Sequence, residues 1–213
     1  MANYVVEAES LGQLWERVCS LIAHSTDGEV LDGTWGGPYL ELQNVVCLSS
    51  NPRLSPVVSP SAPLAKTIGA VSLDDLAESS LMNQRVRSWN GRSGVIDQLD
   101  YVVDLLRMNP KSRKAVISLW NPEDDVGSSE PSCPITFQAL ARPSPEGLRL
   151  SGMTVVRSSD VWNGMPVDLL YFGRLMSTLA DDLGMLVGQY THIVSSLHMY
   201  LHSVPSAARI ARS

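Results

Sequence analysis

One segment limits the folds open to this chain more than any other: a helical pattern from about Pro166 to Leu183, set between two strand-like runs at 147–156 and 186–197. Leu169, Leu170, Leu175, Met176 and Leu179 recur at helical spacing, Pro166 stands near the first turn, and Gly184 supplies a stop. A helix with so much apolar surface needs a partner to cover it, and the flanking strands provide one.

The rest of the chain is read around that unit. Ser10 provides an N-cap for an amphipathic helix over about 10–23, whose face is Leu11, Leu14, Trp15, Val18, Leu21 and Ile22. Residues 25–37, with Asp27-Gly28, Asp32-Gly33 and Gly36-Gly37, read as turns before a strand near 39–48. Four prolines between Asn51 and Pro63 predict a loop inside one domain, because too little chain precedes them to form a core. Ile96, Leu99, Val102, Val103 and Leu106 give a second helical face, ended by Asn109-Pro110 before a strand at 115–120, and a further strand is predicted at 135–142. Strands and long helices without regular βαβ alternation predict an α+β domain spanning 1–213.

Composition narrows the function. With 44% hydrophobic and 18% charged residues, 213 residues suit one globular domain with a sizeable core. A formal charge of −6 argues against tracking a nucleic-acid backbone, so any phosphate is held by a few local cations, as a mononucleotide would be. Neither a leader peptide nor a run long enough to span a bilayer is evident, which predicts a cytoplasmic protein without membrane contact. Cys19, Cys47 and Cys133 are odd in number and widely spaced, so free thiols are expected, with neither a disulfide framework nor a metal site.

Chemistry concentrates in three places. Cys133 precedes a predicted strand in Glu130-Pro-Ser-Cys-Pro-Ile-Thr-Phe-Gln138, where a thiolate could act as a nucleophile. Arg157 and Ser158 join a guanidinium to a neighbouring hydroxyl, a pairing suited to a phosphate dianion. His198 and Tyr200 are two apart, and on an alternating strand such residues share a face, so both can reach one ligand. The segment Arg157-Ser-Ser-Asp-Val-Trp-Asn-Gly-Met-Pro-Val-Asp168, with Cys133 and His198-Met-Tyr200, resembles the nucleotide site of thymidylate synthases. The similarity runs over roughly 82–203.

That resemblance implies a fold and a set of roles. The fold would be a mixed sheet packed with long helices, with one sheet face forming a homodimer interface. Cys133 would add to C6 of a pyrimidine, and Gln138, at the family's spacing from the cysteine, would help hold nucleotide and cysteine. Arg157 and Ser158 would bind the phosphate, joined across the dimer by Arg113 and Lys114 of Ser112-Arg-Lys114. His198 and Tyr200 would bind the sugar hydroxyl, Asp160 would lie beside the folate, and Gly164 would let the backbone approach the base.

Asp168 stands where thymidylate synthases carry asparagine, and so resembles the cytidylate hydroxymethylase branch. Uracil offers an N3 hydrogen and a carbonyl, which a carboxamide satisfies; cytosine offers an N3 lone pair and an amino group, which a carboxylic acid satisfies. Facing uracil, an ionised carboxylate would pair acceptor with acceptor, at a cost of about 1–3 kcal/mol. The implied reaction is C5 hydroxymethylation of CMP or dCMP with 5,10-methylenetetrahydrofolate as carbon donor.

Other positions depart from the family. Pro134 replaces a histidine after the nucleophile, Met82-Asn83 replaces a Tyr-Gly pair, and residues 25–52 lack the arginine of an early phosphate loop. The helix bearing the family's proton-transfer glutamate has no counterpart, Glu78 being the nearest carboxylate. The chain stops eleven residues after His202, which predicts a less enclosed donor and capture of the one-carbon unit by water. Two alternatives follow from these departures: a folate-independent enzyme using Cys133 for conjugate addition, and a non-catalytic nucleotide-binding partner subunit.

Overall fold

A computed structural model describes residues 4–33, 36–53, 81–92 and 94–210. Strand β1 (Tyr4–Ala8) leads to helix α1 (Leu11–His24), then β2 (Glu29–Leu31) and β3 (Tyr39–Ser49). Helix α2 (Leu81–Arg87), the hairpin β4 (Trp89–Gly91) and β5 (Gly94–Ile96), and α3 (Gln98–Met108) follow. The remainder is β6 (Val116–Ser118), α4 (Pro122–Asp125), β7 (Pro134–Ser144), β8 (Gly147–Asp160), α5 (Met165–Asp182), β9 (Leu186–Tyr200) and α6 (Val204–Ile210). The main sheet runs β1-β3-β9-β8-β7-β6, with β2 also paired to β3. Its β1/β3 and β8/β9 pairs are parallel and the others antiparallel, so the fold is α+β with a mixed sheet.

The helices form where their ends are chemically marked. Ser10 and Gln13 make a reciprocal capping box at the start of α1, satisfying two N–H groups that a helix leaves unpaired. Asp97 accepts from Leu99 and Asp100 N–H, both at 3.0 Å, and starts α3 there; Ile96, predicted on that helical face, instead ends β5 and is 47% exposed. Gly184 adopts φ 62° after α5, as its reading as a stop requires.

Helix α5 packs on the sheet through buried Leu169, Phe172 and Met176, with Phe172 stacked on Phe137 of β7 at 5.9 Å. Helix α1 lies alongside, where Trp15 is fully buried, donates to the Val161 carbonyl at 2.7 Å and lies 5.7 Å from the Trp162 ring.

Several strands differ from the sequence reading. β1 is too short to show a period, and β2 lies within residues read as turns because Glu29-Val-Leu31 is flanked by Asp-Gly pairs. β6 is shorter than 115–120, whereas β8 and β9 run past their predicted ends to Asp160 and Tyr200. Those extensions carry the motifs. Most of the proline-rich stretch and Glu78 lie outside the described residues.

The extensions follow a change of face. In β9 the buried residues are Gly188, Tyr190, His192 and Val194, then Leu197 and Met199. In β8 they are Leu150, Gly152, Thr154 and Val156, then Ser159, and in β3 they are Leu42, then Val45, Cys47 and Ser49. Each strand changes parity at one level, bracketed by Val45, Val156 and Val194 below and Gln43, Ser158 and Ser196 above. Asn44, at φ 58°, Arg157 and Ser195 fall outside the pairing at that level. Because all three strands are interrupted together, register survives while the side chains swap faces.

Candidate functional site

Above that level the swap turns Ser196, His198 and Tyr200 out of the core and into a cleft of about 520 Å3. Cys133, Arg157 and Ser158 line the same cleft, as do Asp32, Tyr39, Glu130 and Pro131. Five sequence-nominated residues are therefore brought together by the ends of β8 and β9 and the loop before β7.

Their contacts are specific. Ser158 Oγ lies 3.4 Å from His198 Nδ1. Tyr39 pairs with Tyr200 across β3 and β9, and its ring lies 5.5 Å from His198 and 6.2 Å from Tyr200. Gly36, at φ 75°, passes so close to Tyr200 that a Cβ would stand 2.8 Å from the ring, so the β2–β3 loop needs glycine there. Burial lowers the His198 pKa, against the opposing fields of Asp160 and Glu41, which favours a neutral ring able to donate or accept.

Cys133 is half-buried. Burial pushes its thiol up, Arg157 pulls it down with Nη2 3.7 Å from the sulfur, and Asp168 pushes it up again. Asp168 is thus electrically coupled to the thiol although it does not line the cleft. It occupies the first turn of α5, 8% exposed, and burial alone raises its carboxyl to about 7. A helix N-terminus favours the anion by roughly 0.3–1 kcal/mol. The shift corresponds to about 4 kcal/mol in the other direction, so desolvation wins and the neutral acid is abundant near neutrality.

The other nominated residues lie elsewhere. Asp160 caps its own turn, accepting from Trp162 N–H at 2.9 Å and the Asn163 amide at 2.7 Å. Gly164 caps α5 with φ −86°, and an added Cβ would meet nothing nearer than 3.5 Å, so neither strain nor packing within the chain requires glycine. Gln138 pairs with Val116 on the sheet edge and donates to the Arg113 carbonyl at 3.1 Å. It lies five residues along from Cys133, a strand distance of roughly 16 Å. Arg113 and Lys114 precede the edge strand β6 and are not in this chain's cleft. Sequence reasoning missed Tyr39 and Ser196. Ser196 shares the parity of His198, a usable signal, whereas the approach of Tyr39 depends on non-local pairing.

Below the parity change lies a buried polar group with no place in the cleft. Tyr190 donates to Thr154 Oγ1 at 2.9 Å and lies 3.0 Å from His192 Nδ1, while His192 Nε2 has no partner among the described residues. Burial lowers His192 to about 4. Among the described residues no group of three or more His, Cys, Asp or Glu is arranged to hold a metal, and no helix is long and apolar enough to cross a membrane.

A half-buried thiol beside a guanidinium, an aromatic wall of Tyr39, His198 and Tyr200, and a buried carboxyl that acts on the thiol put a nucleophile, an anion contact and a proton source in one region. Residues 75–212 match the family model described as thymidylate synthase. The family's theme is one-carbon transfer to C5 of a pyrimidine nucleotide, usually with methylenetetrahydrofolate, in enzymes that are usually dimers. With well over half of its length matched, this chain belongs to the thymidylate synthase family.

Proposed function

We propose that the chain is one thymidylate synthase-like domain that hydroxymethylates C5 of CMP or dCMP. The observation that carries this reading is Asp168, a buried carboxyl raised to about 7 and coupled to the Cys133 thiol. With the base reaching past the cleft to the head of α5, Asp168 as the neutral acid can donate to N3 of cytosine and accept from the amino group. The Cys133 thiolate, its proton released to solvent, adds to C6, and Asp168 can pass its proton to N3 as the ring gains electron density. C5 thereby becomes nucleophilic. Arg157 and Ser158 hold the phosphate, and His198 and Tyr200 the sugar.

Asp32 and Glu130 oppose an anion in the cleft, so a second source of cation helps. Arg113 and Lys114 from the other subunit of a homodimer fill that role. Val46, Ile193 and Val155, half-buried and in register across β3, β9 and β8, give the sheet face for such a dimer. Gln138 steadies the edge segment that carries Arg113.

Asp160 fits methylenetetrahydrofolate in part. Both its oxygens serve the 160–163 turn, yet a half-buried carboxylate keeps acceptor capacity for a pterin N–H. When bound there, the folate supplies the one-carbon unit. Gly164 leaves room for the base at the head of α5.

The test is loss of the C5 proton, followed by NMR in deuterated water with CMP, dCMP, UMP or dUMP, with and without methylenetetrahydrofolate. Exchange with cytidylates supports the reading, and exchange confined to uridylates sinks it. The raised thiol favours one alternative, a non-catalytic nucleotide-binding subunit, which would bind cytidylate without exchange. Neither binding nor exchange would favour folate-independent conjugate addition on another substrate.

A further inference from the structure

The loop that ends in Cys133 is gripped from two sides. On one, Arg157 Nε donates to the Ser132 carbonyl at 2.9 Å and Nη2 to the Pro131 carbonyl at 2.7 Å. On the other, Ser132 N–H donates to Asp125 Oδ1 at 2.8 Å. Asp125 Oδ2 accepts from Asn121 N–H at 2.7 Å. Arg85, reaching over from α2, meets both carboxylate oxygens, Nη1 to Oδ2 at 2.5 Å and Nη2 to Oδ1 at 3.0 Å, and Nη1 also donates to the Leu119 carbonyl just past β6. The two side chains are 8% and 1% exposed.

A buried ion pair adds little net stability once both charges are desolvated, and apolar residues of similar volume often hold a fold as well. Apolar residues would not supply an acceptor aimed at the Ser132 amide. Hydrogen bonds from Arg85, against burial and with help from Ser132 and Asn121 N–H, hold Asp125 down to about 2, so the acceptor is an anion at any working pH. Its grip falls one residue before the nucleophile.

We infer that Arg85 and Asp125 are positioning residues for Cys133: Arg85 orients the carboxylate, the carboxylate fixes the Ser132 amide, and the next thiol is thereby held against Arg157. This rests on Cys133 as the nucleophile, but the thiol's reactivity can be read without any substrate. A loosened loop exposes the sulfur to reagent while losing the geometry that attack on C6 needs.

The experiment compares Arg85→Met/Asp125→Leu with Arg85→Met/Asp125→Asn. Both remove the buried charges, and the asparagine keeps an oxygen for Ser132 N–H. Cys133 alkylation by iodoacetamide is followed by peptide mass spectrometry, since Cys19 and Cys47 are buried and compete little. C5 proton exchange is followed in parallel. In the leucine variant we expect alkylation to rise at least about fivefold and exchange to fall at least about tenfold, with the asparagine variant returning toward wild type in both. Arg85→Lys, which keeps the charge but loses the fork, should raise alkylation about twofold. A folded leucine variant with wild-type alkylation overturns the inference, and so does wild-type alkylation in Arg85→Lys if the leucine variant does not fold. Absence of exchange in the wild-type protein would count against the proposed reaction, while the alkylation rates would still decide the role of the pair.

Discussion

Tyr190 and His192 in the lower half of β9 and His198 and Tyr200 in its upper half are the same two residue types at the same parity, yet one pair is core and the other lines the cleft. The matched interruption at Asn44, Arg157 and Ser195 separates them. Placement, more than residue type, sets their chemistry. Below, an imidazole is desolvated and held neutral with one nitrogen unpaired; above, another touches Ser158 and faces solvent that a ligand can replace. If this division is right, substitutions above it should change ligand handling and those below it should change stability.

The largest effect expected belongs to the upper half. Cys133→Ser should reduce C5 exchange by at least about a thousandfold, because the hydroxyl cannot form the covalent adduct at neutral pH. Cytidylate affinity, by calorimetry, should stay within about threefold and the melting temperature within a few degrees. Exchange surviving in this variant would remove Cys133 from the chemistry.

Stability against pH probes the interior. Asp168 has a folded pKa raised to about 7, so the folded state holds more protons than the unfolded one above the ordinary carboxyl value, and stability falls as pH rises from about 4 to about 7. The span is about 4 kcal/mol. His192 has a folded pKa lowered to about 4, so stability falls as pH drops from about 6.5 to about 4, by about 3 kcal/mol. The two slopes oppose each other across the same window. Asp168→Asn should expose the acid loss and His192→Leu the opposite slope, both read from urea midpoints at pH 4.5, 5.5, 6.5 and 7.5. Parallel curves for all three proteins would mean that these groups are not desolvated as described.

Asp168 also links the halves, being buried like His192 yet coupled to Cys133. Asp168→Asn should move base preference toward uridylate by roughly ten- to hundredfold, corresponding to about 1–3 kcal/mol for the mispaired acceptor. Cytidylate exchange in the wild type should climb with pH as thiolate forms and level off near pH 7, where loss of the neutral acid offsets further gain of thiolate. An unchanged preference in the asparagine variant would break the base-reading argument.

How much of this the sequence showed follows the same boundary. α1, α5 and the strands predicted at 39–48, 135–142, 147–156 and 186–197 were legible because their apolar periods are long, although β8 and β9 run further than those periods show. Cys133, Arg157, Ser158, His198 and Tyr200 were legible through short motifs, and the cleft does gather them. Gln138 lies outside that cleft, paired with the edge strand, and the Arg85–Asp125 clasp left no short motif because its members are forty residues apart. The parity change left a trace, since Tyr190, His192 and Val194 alternate with one phase and Leu197 and Met199 with the other. A strand pattern read as continuous hides such a change and ends the apolar run at residue 197, inside the motif.

The smallest effect isolates the two histidines. His198→Phe keeps the ring beside Tyr39 and Tyr200 but removes the nitrogen near Ser158 and any bond to the sugar. One neutral hydrogen bond amounts to about 1 kcal/mol, so KM for nucleotide should rise roughly fivefold with little change in the urea midpoint. His192→Leu removes an imidazole whose second nitrogen is unpaired, leaving Tyr190 its bond to Thr154. Losing one satisfied bond and one unsatisfied group nearly offset, and stability at neutral pH should move by about 1 kcal/mol or less, with KM unchanged. The same strand, residue type and parity should thus give two separate readouts. If His192→Leu raises KM as much as His198→Phe does, the interruption at Ser195 does not divide binding from packing, and the cleft must extend through the sheet to Thr154.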